Sequence, residues 1–127
     1  MKPKLSLLEE KFTLHRLGAD APIPENVLDN PFLSITRTSD ELSIVVPEDL
    51  VLSGTRQEAG WSCIKVLGPL DFSLTGILAG ISKVLAEEGI SIFAISTFDT
   101  DYILVKQETC DRAIQALEAA GYPLNLA

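Results

Sequence analysis

Two carboxylates one residue apart, Asp99 and Asp101, flank Thr100 directly after the apolar run Ile90 to Ile95. Aspartate is a favoured turn residue, and on that ground alone both side chains are solvated. The pair has a second use. Two carboxylates without further oxygen donors make a poor calcium site, but they suit an ammonium or guanidinium group. A complementary feature lies upstream. Gly68-Pro69-Leu70-Asp71-Phe72-Ser73 leads from a strand-like run into a helical pattern. The free N–H groups and the dipole at such a helix start attract an anion, for example a carboxylate. An anion site at 71–76 beside a cation site at 99–101 matches a zwitterionic amino acid. Gly76 and Gly80 fall inside the helical pattern and cost about 1 kcal/mol each relative to alanine. Gly80 reads as a point of close packing. Gly76, in the first turn, reads as a place where a ligand or a second chain comes close.

No catalytic constellation accompanies these groups. A nucleophile needs a base, and the base needs an orienting partner. His15 is the sole imidazole and reads as a surface or edge residue on a short strand. No nucleophile elbow, phosphate loop, dinucleotide fingerprint or pair of metal-spaced ligands occurs. Cys63 lies mid-strand without a partner. The expectation is a protein that is not an enzyme, with no cofactor and no metal. Glu9-Glu10 and Glu87-Glu88 read as solvated faces.

Composition narrows the class. The chain has 127 residues, 46% of them hydrophobic, and 10 Lys+Arg against 18 Asp+Glu leave a net charge of −8. That apolar share excludes an acidic disordered tail. The negative field opposes nucleic acid and anionic membrane surfaces as partners. Cys63 and Cys110 are too few for a disulfide scaffold and read as reduced, partly buried small hydrophobes. The apolar run behind Met1-Lys2-Pro3-Lys4 is only Leu5 to Leu8, too short for a secretory signal. No stretch is long enough to span a membrane. A cytoplasmic protein is expected.

The elements that must hold the candidate site follow from periodicity. Residues 12–18 form a short strand, and the proline-rich 19–31 holds at most a helical turn around Glu25 to Leu28. Residues 32–38 and 41–46 alternate and pair as an antiparallel hairpin across Ser39-Asp40. A short helical piece follows Pro47 at Glu48 to Val51. Residues 53–60, polar and glycine-flanked, are the best linker candidate. A strand at 61–67 then precedes a helix with Ser73 as N-cap, an apolar stripe from Leu74 to Leu85, and Gly89 just past its end. Residues 90–97 read as a strand covered on both faces, and 102–106 as its return. A second helix runs from Cys110 to Ala120, with Ala113, Ile114 and Leu117 inward, closed by Gly121. Leu124 to Leu126 form a last short strand. The second half therefore reads β-α-β-β-α-β, the ferredoxin-like pattern, and the first half looks like a degenerate copy with weak helices.

At Gly68 to Leu78 and Leu85 to Val105 the sequence resembles an ACT domain, specifically the type shared by the CASTOR arginine sensors and small bacterial tandem-ACT proteins. It is similar, more distantly, to the regulatory ACT domains of aspartate kinases. The resemblance covers about residues 61–122, with a weaker one over 1–58. It implies an α+β fold of two tandem ferredoxin-like ACT units with antiparallel sheets and helices on one face, divided as 1–58 and 59–127. It implies a non-catalytic sensor of small molecules, usually amino acids. Asp71, Phe72, Ser73, Leu74, Thr75 and Gly76 then bind the ligand's α-carboxylate and α-amino groups. Thr97, Phe98, Asp99, Thr100 and Asp101 read its side chain, and Asp101 matches the acid facing a basic side chain in the arginine sensors. Ligands of such domains lie where two units pair, so a homodimer is expected, with output through a regulated protein partner. The alternative is a ligand-free assembly module whose site is filled by Phe72 or Phe98.

Overall fold

The computed structural model describes residues 2–67 and 76–125. In chain order they form β1 (Leu5–Leu17), β2 (Ser34–Arg37), β3 (Leu42–Pro47), β4 (Arg56–Val66), α1 (Ile77–Glu87), β5 (Ile92–Ser96), β6 (Asp101–Lys106), α2 (Cys110–Ala119) and β7 (Leu124–Asn125). Single 3₁₀ turns occupy Glu25–Val27 and Gln107–Thr109. The fold is mixed α/β with mainly antiparallel pairing. The chain divides into two compact units, Glu10–Trp61 and Met1–Glu9 with Ser62–Ala127. The sequence pattern put a division at 58/59; Leu5 to Glu9 nonetheless belong with the C-terminal unit, and β1 and β4 each contribute residues to both.

In the unit Glu10–Trp61 the strands neighbour one another as β2-β3-β1-β4. Alternation in β3 turns Leu42, Ile44 and Val46 to one face, where they bury with Val27 and Leu52. The β2–β3 turn is the expected one, with the Thr38 hydroxyl accepting from the backbone N–H groups of Asp40 and Glu41 at 3.1 and 3.2 Å. The proline-rich connection is tied down by Arg37, whose guanidinium donates to the carbonyls of Ala19 and Ala21. After Pro47 there is a turn closed by Leu50 N–H to the Pro47 carbonyl, not the expected helical piece.

Two further expectations are corrected here. His15 is not a surface residue; it is 2% exposed. It lies opposite Ile44 in the β1–β3 register, on an interior strand rather than an edge. Its Nδ1 is 2.9 Å from the Thr55 hydroxyl, and its Nε2 is buried with no partner among the described residues. Burial lowers its pKa below 6.5, so the ring is held neutral. The segment 53–60 is not a free linker, because β4 begins at Arg56. Gly60, at φ +80, sits inside that strand. A left-handed glycine within a strand is the mark of a bulge. The opening residues of β4, Arg56 to Ala59, are all exposed and carry no apolar alternation, so only the part of the strand from Trp61 on is legible in the sequence.

In the other unit β4 neighbours β6, and β6 pairs antiparallel with β5 from Ser96↔Asp101 to Ile92↔Val105. β7 runs parallel to the start of β1, Leu5↔Leu124, rather than lying against β4. Leu5, fully buried, donates its N–H to the Pro123 carbonyl at 2.8 Å. Helix α1 buries Ile81 and Leu85, and α2 buries Cys110, Ala113, Ile114 and Leu117. Gly89 and Gly121 follow the two helices at φ +70 and +97, as their positions in the sequence predict. Helix α1 starts at Ile77 with Gly76 as N-cap, so Gly76 is not in the first turn; Ser73 and Leu74 lie outside the described residues. Strand β5 is the last in the order and only partly covered, with Ala94 and Ser96 exposed, so it is not sheathed on both faces as its apolar content suggested. Cys63 and Cys110 are both buried and form no disulfide. No helix among the described residues is long and apolar enough to cross a membrane.

Gly80 marks close packing as expected, against the segment following α2. A Cβ at Gly80 would stand 2.9 Å from the Tyr122 hydroxyl oxygen. Tyr122 is 6% exposed and has the Lys2 ammonium 4.7 Å from its ring centre, so it has little room to yield. Gly80→Ala is expected to destabilise by about 1–2 kcal/mol through overpacking. In a Tyr122→Phe background the same change becomes neutral or stabilising, because the clash is gone and the helix propensity gain of about 1 kcal/mol remains. Urea denaturation of the four proteins checks this. His15 makes a separate prediction. The unfolded chain takes up the imidazole proton more readily than the folded one, so stability falls as pH drops below about 6.5. Thermal melts between pH 7.5 and 5.5 should show that fall, and His15→Gln should reduce it.

Candidate functional site

The β5–β6 turn carries five of the sequence-derived site residues. It is a four-residue turn, Thr97 to Thr100, closed by Thr97 N–H to the Thr100 carbonyl at 2.8 Å. The Thr97 hydroxyl donates to the same carbonyl at 3.0 Å and lies 3.3 Å from the Thr100 N–H, which donates to it. Threonine is suited to this local bonding, and aspartate to the turn it closes. Phe98 and Asp99 lie at the tip, with Phe98 81% exposed and Asp99 exposed. Phe98 therefore does not fill a site from within, as the ligand-free alternative supposed.

Thr100 and Asp101 behave differently from the tip. Thr100 is 5% exposed, and its hydroxyl donates to the Val66 carbonyl at 2.5 Å. Its side chain is thus committed to the protein and anchors the turn to β4. Asp101 is the first residue of β6 and is half-buried. One of its carboxylate oxygens, Oδ1, accepts from the Ser96 hydroxyl at 2.6 Å. The second oxygen has no bond shown to any described residue. Neither Ser96 nor Val66 was identified from sequence. Ser96 is legible once the turn is taken as four residues, since it then stands opposite Asp101 in the register. The Val66 carbonyl carries no sequence signal, because a backbone acceptor has no residue type.

The other half of the expected site is described only in part. Asp71, Phe72, Ser73, Leu74 and Thr75 lie outside the described residues. Gly76 ends that segment at φ +81, with its carbonyl accepting from the Gly80 N–H at 2.8 Å. Left-handed backbone there requires glycine, since an added Cβ would be strained even though nothing lies within 4 Å of it. Val66, the anchor of the turn, is the last residue of β4, five residues before Asp71 in the sequence. Among the described residues no group of three or more His, Cys, Asp or Glu side chains is placed to hold a metal.

These features define a small mixed α/β domain whose exposed polar groups sit on connections at strand ends. The ACT domain model matches residues 56–119, and a second model, of an N-terminal domain, matches residues 10–53. The chain belongs to the ACT domain family. Over 110 residues it is 37% identical to the human cytosolic arginine sensor for mTORC1 subunit 1, covering 80% of this chain and 32% of that protein. The orangutan (Pongo abelii) counterpart is 30% identical over 126 residues, covering 89% of this chain and 37% of its own length. The chain thus spans about a third of the length of these relatives. An Agrobacterium tumefaciens protein of known crystal structure is 39% identical, with a TM-score of 0.93 over 100% of this chain and 95% of that one. The ligand-free regulatory subunit of Thermus thermophilus aspartate kinase shares the fold at 13% identity, with a TM-score of 0.69 over 95% and 99% of the two chains.

Thr100→Val is expected to leave the Val66 carbonyl without its hydroxyl donor in a buried position, at a cost of about 1–2 kcal/mol. Amide hydrogen exchange should accelerate locally at 97–101 while α2 stays protected. Unchanged stability and unchanged exchange would show that the bond does not anchor the turn.

Proposed function

We propose that the chain is a non-catalytic regulatory protein that binds an amino acid in its C-terminal unit. The loop 71–76 ahead of α1 takes the ligand's α-carboxylate and α-amino groups. The turn Thr97 to Asp101 reads its side chain, with Asp99 and Asp101 favouring an ammonium or guanidinium end. The observation that carries this reading is the bond from Thr100 to Val66, which holds the turn beside the strand end from which the loop departs. The named function of the mammalian relatives, arginine sensing, agrees with an acidic turn at this place. In this reading the chain is a tandem of ferredoxin-like ACT units, acts in the cytoplasm and pairs with a second copy. Ligand binding changes affinity for a regulated partner by linkage.

A thermal-shift screen of the common amino acids tests the proposal. A ligand present at 100 times its Kd stabilises by about 2.7 kcal/mol, so at least one amino acid should raise the melting temperature by several degrees. Asp101→Asn should abolish the shift given by a basic amino acid and leave the apo melting temperature within about a degree. The absence of any shift at about 10 mM would reject amino-acid sensing and favour a pairing module. The partly covered β5 edge, with Ile92, Phe93 and Ile95 half-exposed, supports that second reading.

A further inference from the structure

The connection between β3 and β4, residues 48–55, crosses the core face of the N-terminal unit. Leu52 is 6% exposed and packs with Val27, Leu42, Ile44 and Val46, and half-buried Leu50 packs against the same cluster. The side-chain hydrogen bond that ties the connection down is at its other end, where the Thr55 hydroxyl lies 2.9 Å from Nδ1 of His15. Between and around these contacts Glu48, Asp49, Val51, Ser53 and Gly54 are exposed. His15 stands opposite Ile44 and Thr13 opposite Val46 in the β1–β3 register. Paired residues share a sheet face, so the imidazole lies on the face that Leu42, Ile44 and Val46 bury.

Only the neutral ring suits that place. A ring with its proton on Nδ1 donates to Thr55 and leaves a lone pair at Nε2. Nε2 is buried and has no hydrogen-bond partner among the described residues. A second proton turns it into a buried cationic donor with nothing to receive it, which is far more costly. No carboxylate offsets the charge. Strand β3 carries no ionisable side chain. The connection brings Glu48 and Asp49, the start of β4 Arg56 and Glu58, and the segment ahead of β2 Asp20, Glu25 and Asp29, all of them exposed. On β1 itself Lys11 shares the face of His15 and is half-buried, and its charge opposes a second cation. Arg16 faces away and donates to the Asp40 carbonyl. The charged ring therefore needs water, and either β1 or its cover must move to admit it. β1 is interior and paired with β3 over the six residues Phe12 to Leu17. The connection has far less to lose, so it yields first.

We propose that residues 51–55 form a strap latched onto the neutral His15 ring, and that protonation of the ring releases the strap and frees Leu52 from the core, an acid-sensitive switch built into the N-terminal unit. The switch lies within Glu10–Trp61 and does not involve the turn at 97–101. Burial holds the ring's pKa below 6.5 while the strap is closed, so the open form takes up the proton more readily. The open population then rises by up to about tenfold per pH unit as pH falls below about 6.5. NMR of the full chain between pH 7.5 and 5.5 tests this, and the ring signal is unambiguous because His15 is the sole histidine. The Leu52 methyl groups and the amides of 51–55 are expected to move towards random-coil positions with the midpoint of the ring, while the β1–β3 amides stay protected. His15→Gln, which has no proton to gain in this range, should abolish the change. Thr55→Val removes the latch and keeps the ring, so the strap should already be released at pH 7.5 and the ring should titrate closer to 6.5. Thr55→Ser should restore the closed state. A ring that titrates while Leu52 stays in place would overturn the proposal. So would loss of Leu52 and the β1–β3 amides together, which is unfolding of the unit, or an acid response that persists in His15→Gln.

Discussion

One buried hydrogen bond, from the Thr100 hydroxyl to the Val66 carbonyl, holds the chemistry-bearing part of the C-terminal unit in place. The carbonyl ends β4, where the ladder stops and an acceptor would otherwise be stranded among apolar side chains. Satisfying it with a side chain from the β5–β6 turn costs that threonine its freedom to touch anything else. It also sets where the turn stands. Asp101 is then delivered at the first position of β6 with its Oδ1 held by Ser96, and Asp99 is left at the solvent-facing tip. The turn is thus divided into a buried anchor and an exposed tip, and the division follows from which hydroxyls are used internally.

A second constraint organises the N-terminal unit. β1 is interior, between β3 and β4, and its stretch Phe12, Thr13 and His15 is buried while Glu9, Glu10 and Arg16 stay exposed. His15 is the clearest consequence. It is buried, neutral and half-satisfied by Thr55, and its free Nε2 is tolerated in a core otherwise built from Leu42, Ile44 and Val46. β4 contributes Arg56 to Trp61 to one unit and Ser62 to Val66 to the other, and its Gly60 is left-handed at φ +80. Strain is avoided there only because glycine has no Cβ.

With a net charge of −8 the chain repels polyanions. Glu48 and Asp49 lie in the turn after β3 and Asp99 at the tip of the β5–β6 turn, all three exposed, where carboxylates stay hydrated. In such places the charges cost little stability and remain available.

The amino-acid sequence by itself determined the helix ends at Gly89 and Gly121, the β2–β3 hairpin, the inward face of α2 and the acidic turn. Each is set by local chemistry: a left-handed glycine, a Ser-Asp turn, a 3.6-residue apolar stripe, a pair of aspartates around a threonine. The resemblance to ACT domains was carried by Gly68 to Leu78 and Leu85 to Val105. Tertiary structure alone decided four other matters. It made β5 an edge although its residues are nearly all apolar, because strand order is not encoded in a strand's own composition. It buried His15, because the length and interior place of β1 depend on partners far along the chain. It turned a polar linker pattern into the start of β4, because Arg56 to Ala59 are exposed throughout and their pairing depends on strands far away in the sequence. And it assigned Thr100 to the Val66 carbonyl rather than to a ligand, because a backbone acceptor becomes unique only once the fold has buried it.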